Sequence, residues 1–151
     1  MAFSSHERPN SGFTDDWWTP IEIVRSLGDF NLDPCGNKSH PTAHRIFQLP
    51  NQDGLTEPWN GRVWLNPPYA QVGLWLMRLA AHGRGIALVM ARTDTIWAQT
   101  YLPMADSVFF RKGRICFLKN GTPATGNAGA PSMFLAFGEK PKWNMEGWQA
   151  K

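Results

Sequence analysis

The chain has 151 residues, of which 42% are hydrophobic, and its formal net charge is +3. This length is typical of one domain, and the apolar fraction supports a packed core, which excludes a chain that is disordered throughout. No apolar run reaches the roughly 20 residues that span a bilayer, and the N-terminus lacks the apolar segment of a signal peptide. We therefore expect a cytoplasmic protein with no membrane partner.

The charge is divided unevenly between the two halves of the chain. Residues 1–75 hold five basic and eight acidic side chains, whereas residues 76–151 hold ten basic and four acidic ones. Residues 107–138 contain four basic side chains and no carboxylate. The second half is therefore the candidate nucleic-acid face, although a solvated surface hairpin explains the same charge equally well.

The predicted elements begin after a polar, flexible arm, residues 1–12. Thr19 followed by Pro20, with Glu22 three positions after Thr19, is a capping box, and it predicts a helix that ends at about Leu27. A short buried strand follows at residues 30–33 and stops at Pro34.

Residues 37–60 contain many helix and strand breakers and predict mostly loop. The next strand covers residues 61–66 and ends at two prolines. An amphipathic helix is predicted over residues 70–81, where apolar residues recur at helical spacing. Residues 85–91 form an apolar run typical of a strand that is buried on both faces.

Asp94 is predicted to cap a helix that runs to about Leu102. Two strands, residues 107–110 and 115–118, then flank a basic turn, and residues 132–137 form the last strand. The tail, residues 139–151, is either a mobile end or a short packed flap. Helices that alternate with strands before a β-rich end predict an α/β fold with a mixed sheet.

The sequence Asn66-Pro67-Pro68-Tyr69 is the sharpest local signal for chemistry. It follows a predicted strand and precedes a predicted helix, where open α/β sheets bind ligands. The prolines have no N–H, so we expect the carbonyls here to stay available as acceptors, and the Asn66 side-chain oxygen adds another. These acceptors suit a planar amino group, and Tyr69 offers a face on which a base can stack.

A second turn, from Asp33 through Pro34 to Gly36, also follows a strand. Its carboxylate can accept hydrogen bonds from a nucleoside-type cofactor, but a capped turn without ligand explains the same residues. The spacing of Cys35, His40 and His44 invites a zinc interpretation. A structural zinc site needs four ligands and only Cys116, distant in sequence, is available as the fourth, so we expect no metal.

The chain resembles the DNA N6-adenine methyltransferase family of bacteriophages and prophages, the Dam-type enzymes. The matching segments, in order, are Asp16-Trp17-Trp18-Thr19-Pro20, Phe30-Asn31-Leu32-Asp33-Pro34-Cys35, Asp53-Gly54-Leu55 with Pro58-Trp59, Val63-Trp64-Leu65-Asn66-Pro67-Pro68-Tyr69, Ala91-Arg92-Thr93-Asp94-Thr95 with Trp97, Lys112-Gly113-Arg114-Ile115-Cys116-Phe117, and Ala130-Pro131-Ser132-Met133. The ordered series is much more specific than any one of its members.

The resemblance implies a compact Rossmann-like fold with a mixed, mostly parallel sheet, and a methyltransferase domain over residues 13–138. It implies transfer of a methyl group from S-adenosylmethionine to the exocyclic N6 of adenine in double-stranded DNA at a short specific site, a chemistry linked to restriction-modification. Enzymes of this kind flip the target base out of the duplex. A homodimer is compatible with so small a chain.

The same resemblance implies roles for individual residues. The catalytic residues implied are Asn66, Pro67, Pro68 and Tyr69: Asn66 and the Pro67 carbonyl would hold the adenine amino group, and Tyr69 would stack on the flipped base. Those implied to line the cofactor are Trp17, Thr19, Pro20, Asp33, Pro34, Gly36 and Asp53. The basic residues expected to contact DNA are Arg92, Arg111, Lys112, Arg114 and Lys119.

The sequence departs from the family pattern at one point and leaves other substrates open. Asp53 follows Gly36 by only 17 positions, which is too short for a full strand-helix-strand unit, so one unit must be compressed or missing. Without a separate recognition domain, DNA must be read by loops, of which residues 111–130 are the best candidates. RNA adenine, a protein glutamine and a catalytically silent DNA-binding protein remain alternatives.

Overall fold

A seven-stranded sheet forms the centre of the fold in the computed structural model, which describes residues 17–119, 121–123 and 129–151. In chain order the elements are β1 (Trp17–Trp18), α1 (Ile21–Ser26), β2 (Leu32–Asp33), β3 (Arg45–Ile46), β4 (Val63–Leu65), α2 (Val72–His82), β5 (Gly85–Met90), α3 (Ile96–Tyr101), β6 (Ser107–Arg111), β7 (Leu118–Lys119), β8 (Thr122–Pro123), β9 (Ser132–Phe137) and β10 (Gly147–Gln149). The order across the main sheet is β10-β6-β9-β5-β4-β2-β3, and β1, β7 and β8 form a separate small sheet.

The main sheet is mixed, so the expectation of a mostly parallel sheet is not confirmed. Three of its pairings are parallel (β2 with β3, β2 with β4, and β4 with β5) and three are antiparallel (β5 with β9, β9 with β6, and β6 with β10). The reason is that β9 lies between β5 and β6 and is antiparallel to both, so β5 and β6 do not form a parallel pair. Because β6 and β5 are both antiparallel to β9, β6 runs in the same direction as β5.

Both faces of the sheet are covered, as the apolar runs predict. Successive side chains of a strand point to opposite faces. Accordingly, Val63 and Leu65 of β4 pack with the apolar side of α2, whereas Trp64 between them packs with α1 and Trp143 on the other face. The strands β5 and β9 alternate in the same way, so one sheet separates two apolar clusters. In the described part of the chain, none of the helices is long and apolar enough to cross a membrane.

Helices α1, α2 and α3 lie where the sequence predicts them, but two of the predicted caps are wrong. Pro20, not Thr19, is the N-cap of α1, and it makes no side-chain capping bond. Helix α3 is capped by Thr95, not Asp94, and the Thr95 hydroxyl accepts a hydrogen bond from the Ala98 N–H at 3.2 Å. The Thr19 side chain is engaged elsewhere, with Asn66.

The predicted hairpin around the basic turn is also wrong. β6 pairs with β9 and β10 in the main sheet, whereas β7 covers only Leu118–Lys119 and pairs with β1 and β8 in the small sheet. The C-terminal strand β10 occupies the edge of β6 that a hairpin partner would need. The basic turn therefore connects two sheets and does not close a hairpin.

The crossover from β2 to β3 contains turns and no helix, and all of its residues are described. The short strand β3 pairs parallel to β2, with Leu32 opposite Arg45. One strand-helix-strand unit is thus reduced to a loop and two residues of strand, within the segment predicted to be mostly loop.

The C-terminal segment packs against the main sheet. The Trp143 side chain is 5% exposed, stacks on Phe109 with ring centroids 5.4 Å apart, and donates its indole N–H to the Ser107 hydroxyl. Further on, β10 pairs antiparallel with β6, and the Val108 N–H donates to the Lys151 carbonyl.

We expect Trp143→Ala to lower the free energy of unfolding by about 3–5 kcal/mol, because it removes a large core side chain and leaves a cavity. Trp148→Ala is the matched control in the same segment. Its indole is 69% exposed and stacks only on Phe110, so we expect a loss of less than about 1.5 kcal/mol. Urea unfolding followed by circular dichroism measures both values, and equal losses would contradict a core role for Trp143.

Candidate active site

The strand order creates a crevice at one edge of the main sheet. From β2 the chain moves outward to β3, then returns to β4 on the other side of β2, so the order of strands reverses between β2 and β4. Ligands of open α/β sheets bind outside the carboxyl ends of the strands at such a point. Asp33 ends β2 and Asn66 follows β4, and the Cys35 thiol donates to the Asn66 carbonyl at 3.5 Å.

The Asn66 side chain is held by one partner and keeps one acceptor open. Its Nδ2 donates to the Thr19 hydroxyl oxygen at 3.1 Å. Among the residues that the structure describes, none donates to its Oδ1 or to the Pro67 carbonyl. The Pro68 carbonyl, expected to be available as well, accepts from the Gln71 N–H at 3.3 Å because a 3-10 turn begins here. Two acceptors therefore remain, not three.

Tyr69 is the first residue of this turn, and its ring contacts Trp97 of α3. Its ring lies 6.4 Å from that of Trp97, at 58° to it. Burial raises the pKa of the Tyr69 hydroxyl well above its usual value, so the phenol stays neutral. The contact with Trp97 restrains the ring of Tyr69, which follows Asn66 by three positions.

Asp33 lies inside the loop that follows β2. Its side chain is 4% exposed, the Cys35 N–H donates to its Oδ1 at 3.1 Å, and the Thr42 hydroxyl donates to its Oδ2. Burial raises the pKa of this carboxyl to about 6, and the two hydrogen bonds act in the opposite direction. Burial, followed by the Asp33 charge, also raises the pKa of the Cys35 thiol well above its usual value. The thiol is therefore not a reactive nucleophile at neutral pH.

Two glycines allow close contacts around this loop. A Cβ on Gly36 would lie 2.6 Å from Asp33 Oδ2. A Cβ on Gly54 would lie 1.8 Å from the Pro34 carbonyl oxygen, so only glycine lets the segment after Asp53 touch the β2 loop. Asp53 itself caps a turn, accepting from the Leu55 N–H at 2.9 Å.

Side chains from α2 and the preceding loop hold this second segment in place. The Arg78 guanidinium donates to the Gly54 and Glu57 carbonyls at 2.9 and 2.8 Å and lies over the Trp59 ring. The Trp59 indole N–H also donates to the Gly54 carbonyl, at 2.7 Å. Sequence reasoning missed Arg78, and its spacing within α2 carries no signal that separates it from a solvated arginine.

Residues of the small sheet and of the loop after β2 hold β1, the strand that leads into Thr19. The His40 ring stacks on Trp18, with centroids 4.9 Å apart, and its Nε2 lies 2.6 Å from the Thr19 carbonyl oxygen. Trp17 is 43% exposed, with Lys119 Nζ 5.6 Å from its ring centroid. The sequence indicates no role for His40 other than that of a zinc ligand. Within the described ranges, no three His, Cys, Asp or Glu side chains group closely enough to hold a metal ion.

Some of the basic residues lie at the same edge of the sheet as Asn66. Strands β5 and β6 run in the direction of β4, so Arg92, which follows β5, and Arg111, which ends β6, share this edge. Lys112 pairs with Glu146 at 3.4 Å on the surface, and Arg114 and Lys119 are exposed. Position 120 and residues 124–128, part of the predicted reading segment, lie outside the described residues.

The buried carboxyl of Asp33 makes a testable contribution to stability. Between pH 3.8 and about 6 the folded protein retains a proton that the unfolded chain has released, so its stability falls as pH rises through this window. We expect wild type to lose about 3 kcal/mol relative to Asp33→Asn between about pH 4 and about pH 7. Urea unfolding at several pH values measures the difference, and parallel curves for the two proteins would contradict it.

Comparison with known proteins identifies the family of this chain. The model of the family described as DNA N-6-adenine-methyltransferase (Dam) matches residues 7–145. A relative from Haemophilus phage HP1 (strain HP1c1), named DNA N-6-adenine-methyltransferase, is 29% identical over 139 residues, which cover 83% of this chain and 80% of the phage protein. No solved structure matches. The chain therefore belongs to the DNA N-6-adenine-methyltransferase (Dam) family.

Proposed function

We propose that this chain transfers a methyl group from S-adenosylmethionine to the N6 of adenine in double-stranded DNA, at a short specific site. Family membership and the name of the phage relative support the reaction. The observation that carries it is the pair of open acceptors, Asn66 Oδ1 and the Pro67 carbonyl, that follow the carboxyl end of β4.

The proposed fold is a compact, Rossmann-like methyltransferase in which one strand-helix-strand unit is reduced. Five strands of the main sheet run in one direction and two, β9 and β10, run in the other. The reversal of strand order between β2 and β4 supports this interpretation, because it is the feature that ligand-binding open sheets share. The proposed methyltransferase domain covers residues 13–138.

The groups around the crevice fit a nucleoside-type cofactor. The described part of the chain gives the buried Trp18 indole N–H no hydrogen-bond partner, which leaves a donor beside the candidate site. The residues proposed to line the cofactor are Trp17, Thr19, Pro20, Asp33, Pro34, Gly36 and Asp53. Because Asp33 is buried, its proposed contribution is to shape the loop through Cys35 and Thr42. When bound, S-adenosylmethionine supplies an already activated methyl group.

The residues of the chain would then act mainly by alignment. Asn66 Oδ1 and the Pro67 carbonyl would accept the two hydrogens of the adenine amino group, which frees its nitrogen lone pair from conjugation with the ring. Tyr69 would stack on the adenine after it has left the duplex. Holding the amino nitrogen in line with the methyl donor is the kind of positioning that supplies a large part of enzymatic rate enhancement.

The DNA is proposed to lie across the edge of the sheet that carries Asn66. Arg92 and Arg111 share this edge, and Lys112, Arg114 and Lys119 lie in the segment that leads from Arg111 to the small sheet. Cationic side chains that contact phosphates supply affinity that falls with salt. Recognition of the sequence would come from loops here, and a homodimer would cover a longer stretch of DNA.

We expect Asn66→Ala to lower methyl transfer by more than about 100-fold with an unchanged fold, because it removes one of the two proposed acceptors. Labelled S-adenosylmethionine, unmethylated duplex DNA and nucleoside analysis measure N6-methyladenine, with a matched RNA substrate alongside. Asn51→Ala, an exposed asparagine in a turn, is the control and should methylate normally.

The outcomes of this assay separate the alternatives. Full activity of Asn66→Ala would contradict the mechanism. Methyl transfer to RNA and not to DNA would identify RNA as the substrate. Binding of DNA and cofactor without transfer to either would identify a silent binding protein of the same fold.

Arg114→Gln tests the DNA-binding face. We expect weaker duplex binding. The slope of the logarithm of the binding constant against the logarithm of the salt concentration should fall in magnitude by about 1, since one phosphate contact is lost. Lys142→Gln is the control, because this exposed lysine follows β9 toward the opposite edge of the sheet. Fluorescence anisotropy over a range of salt concentrations measures both. Equal effects of the two substitutions would rule out a localised DNA face at this edge.

A further inference from the structure

Thr19 does not have the role that its sequence context predicts. It precedes a proline and a helix, yet Pro20 caps α1 and the Thr19 hydroxyl makes no capping bond. Its side chain is turned toward β4, where its Oγ1 accepts a hydrogen bond from Asn66 Nδ2 at 3.1 Å. The residue is 2% exposed, which leaves little of its surface for a ligand. Among the described residues, Asn66 is thus the one polar partner of the Thr19 side chain.

This contact holds one end of the Asn66 amide away from the crevice, and in the structure that end is Nδ2. An asparagine side chain has one oxygen that accepts and one NH2 group that donates. Because Nδ2 is paired with Thr19, Oδ1 is the atom left for a substrate. A rotated amide would present its NH2 group to the amino group of adenine, and two donors would then face each other. The proposed chemistry requires the first orientation.

Thr19 is itself held by the loop after β2. The carbonyl oxygen of Thr19 can only accept, so His40 Nε2, 2.6 Å away, must carry the proton of this hydrogen bond. The same imidazole stacks on Trp18 at an interplanar angle of 17°. On the other side, β1 pairs with β7 through Trp18 and Leu118. Two segments distant in sequence, the loop after β2 and β7, therefore fix the main chain next to Thr19.

We propose that Thr19 is a positioning residue that restrains the Asn66 side chain in the orientation seen in the structure, with Oδ1 toward the substrate, and that His40 holds Thr19 in place. This inference rests on the proposed function and assigns Thr19 a different role from that of a cofactor ligand. The two roles predict different kinetics, because orientation of Asn66 affects the chemical step whereas a cofactor contact affects binding.

Thr19→Val and Thr19→Ser provide the test. Valine keeps the shape and removes the hydroxyl, and serine restores it. We expect Thr19→Val to lower kcat by about 10- to 100-fold while KM for S-adenosylmethionine and for DNA changes less than about 3-fold, and Thr19→Ser to recover kcat to within about 3-fold of wild type. A raised KM for S-adenosylmethionine at unchanged kcat would overturn the proposal, as would a serine variant no better than valine.

A second measurement does not depend on activity. The side-chain NH2 signals of Asn66 can be assigned in a ¹⁵N–¹H spectrum by their loss in Asn66→Ala. In wild type they should be protected from exchange, and in Thr19→Val this protection should fall at least about 10-fold. Unchanged protection would overturn the positioning role even if wild type methylates DNA. Conversely, wild type could fail to methylate DNA while Thr19→Val still loses the protection of the Asn66 amide. This combination would contradict the proposed function and leave the positioning role intact.

The contribution of His40 is tested by a double-mutant cycle. His40→Phe keeps an aromatic ring against Trp18 and removes the N–H that Thr19 accepts. We expect it to lower kcat about 3- to 10-fold alone and to have little further effect in a Thr19→Val background, because both substitutions disturb the same hydrogen-bonded chain. Full additivity of the two effects would contradict the coupling between His40 and Thr19.

Discussion

The parallel pairing of β2 with β4, with Leu32 opposite Val63, places the residues that follow both strands at one edge of the sheet. Everything in the candidate site depends on this pairing, because the Asp33 loop and the Asn66 loop are about 30 positions apart in the chain. The two strands are short, and they are stabilised by their neighbours: β5 pairs with β4 and β9 with β5 over its full length. The antiparallel half of the sheet thus supports a site to which it contributes no proposed catalytic residue.

The loop after β2 combines a destabilising group with close packing. A buried carboxyl whose pKa is raised to about 6 lowers the stability of the folded protein at neutral pH. In return, Asp33 receives hydrogen bonds from Cys35 and Thr42 that close the loop around it. Gly36 and Gly54 then permit backbone contacts that any Cβ would block. These contacts hold the segment around Asp53 against the loop after β2. Connections between parallel strands usually contain a helix, and the described residues that link β2, β3 and β4 contain none.

The sequence predicts the elements whose signals are local and does not predict interactions between distant residues. The apolar runs of β5 and β9 and the helical spacing of α2 are properties of neighbouring residues, and the structure confirms all three. The capping role of Thr19 was wrong because its hydroxyl has an alternative partner, Asn66, 47 positions away. The hairpin was wrong for a similar reason, since β6 pairs with the C-terminal strand. The motif at Asn66 could be recognised locally, but the support given by His40 and Arg78 could not.

The small sheet connects the surface proposed to face DNA with the residue proposed to act on it. Lys119 pairs with Trp17 in β1, and Trp17 precedes by two positions the residue that holds the Asn66 amide. A contact between DNA and the exposed end of this sheet would therefore act on the same strand that leads into Thr19. Because His40 holds that strand from the opposite side, displacement of β1 would disturb the stacking on Trp18 and the hydrogen bond to Thr19 together. If the duplex binds at this surface as proposed, one short strand would couple its binding to the alignment of Asn66.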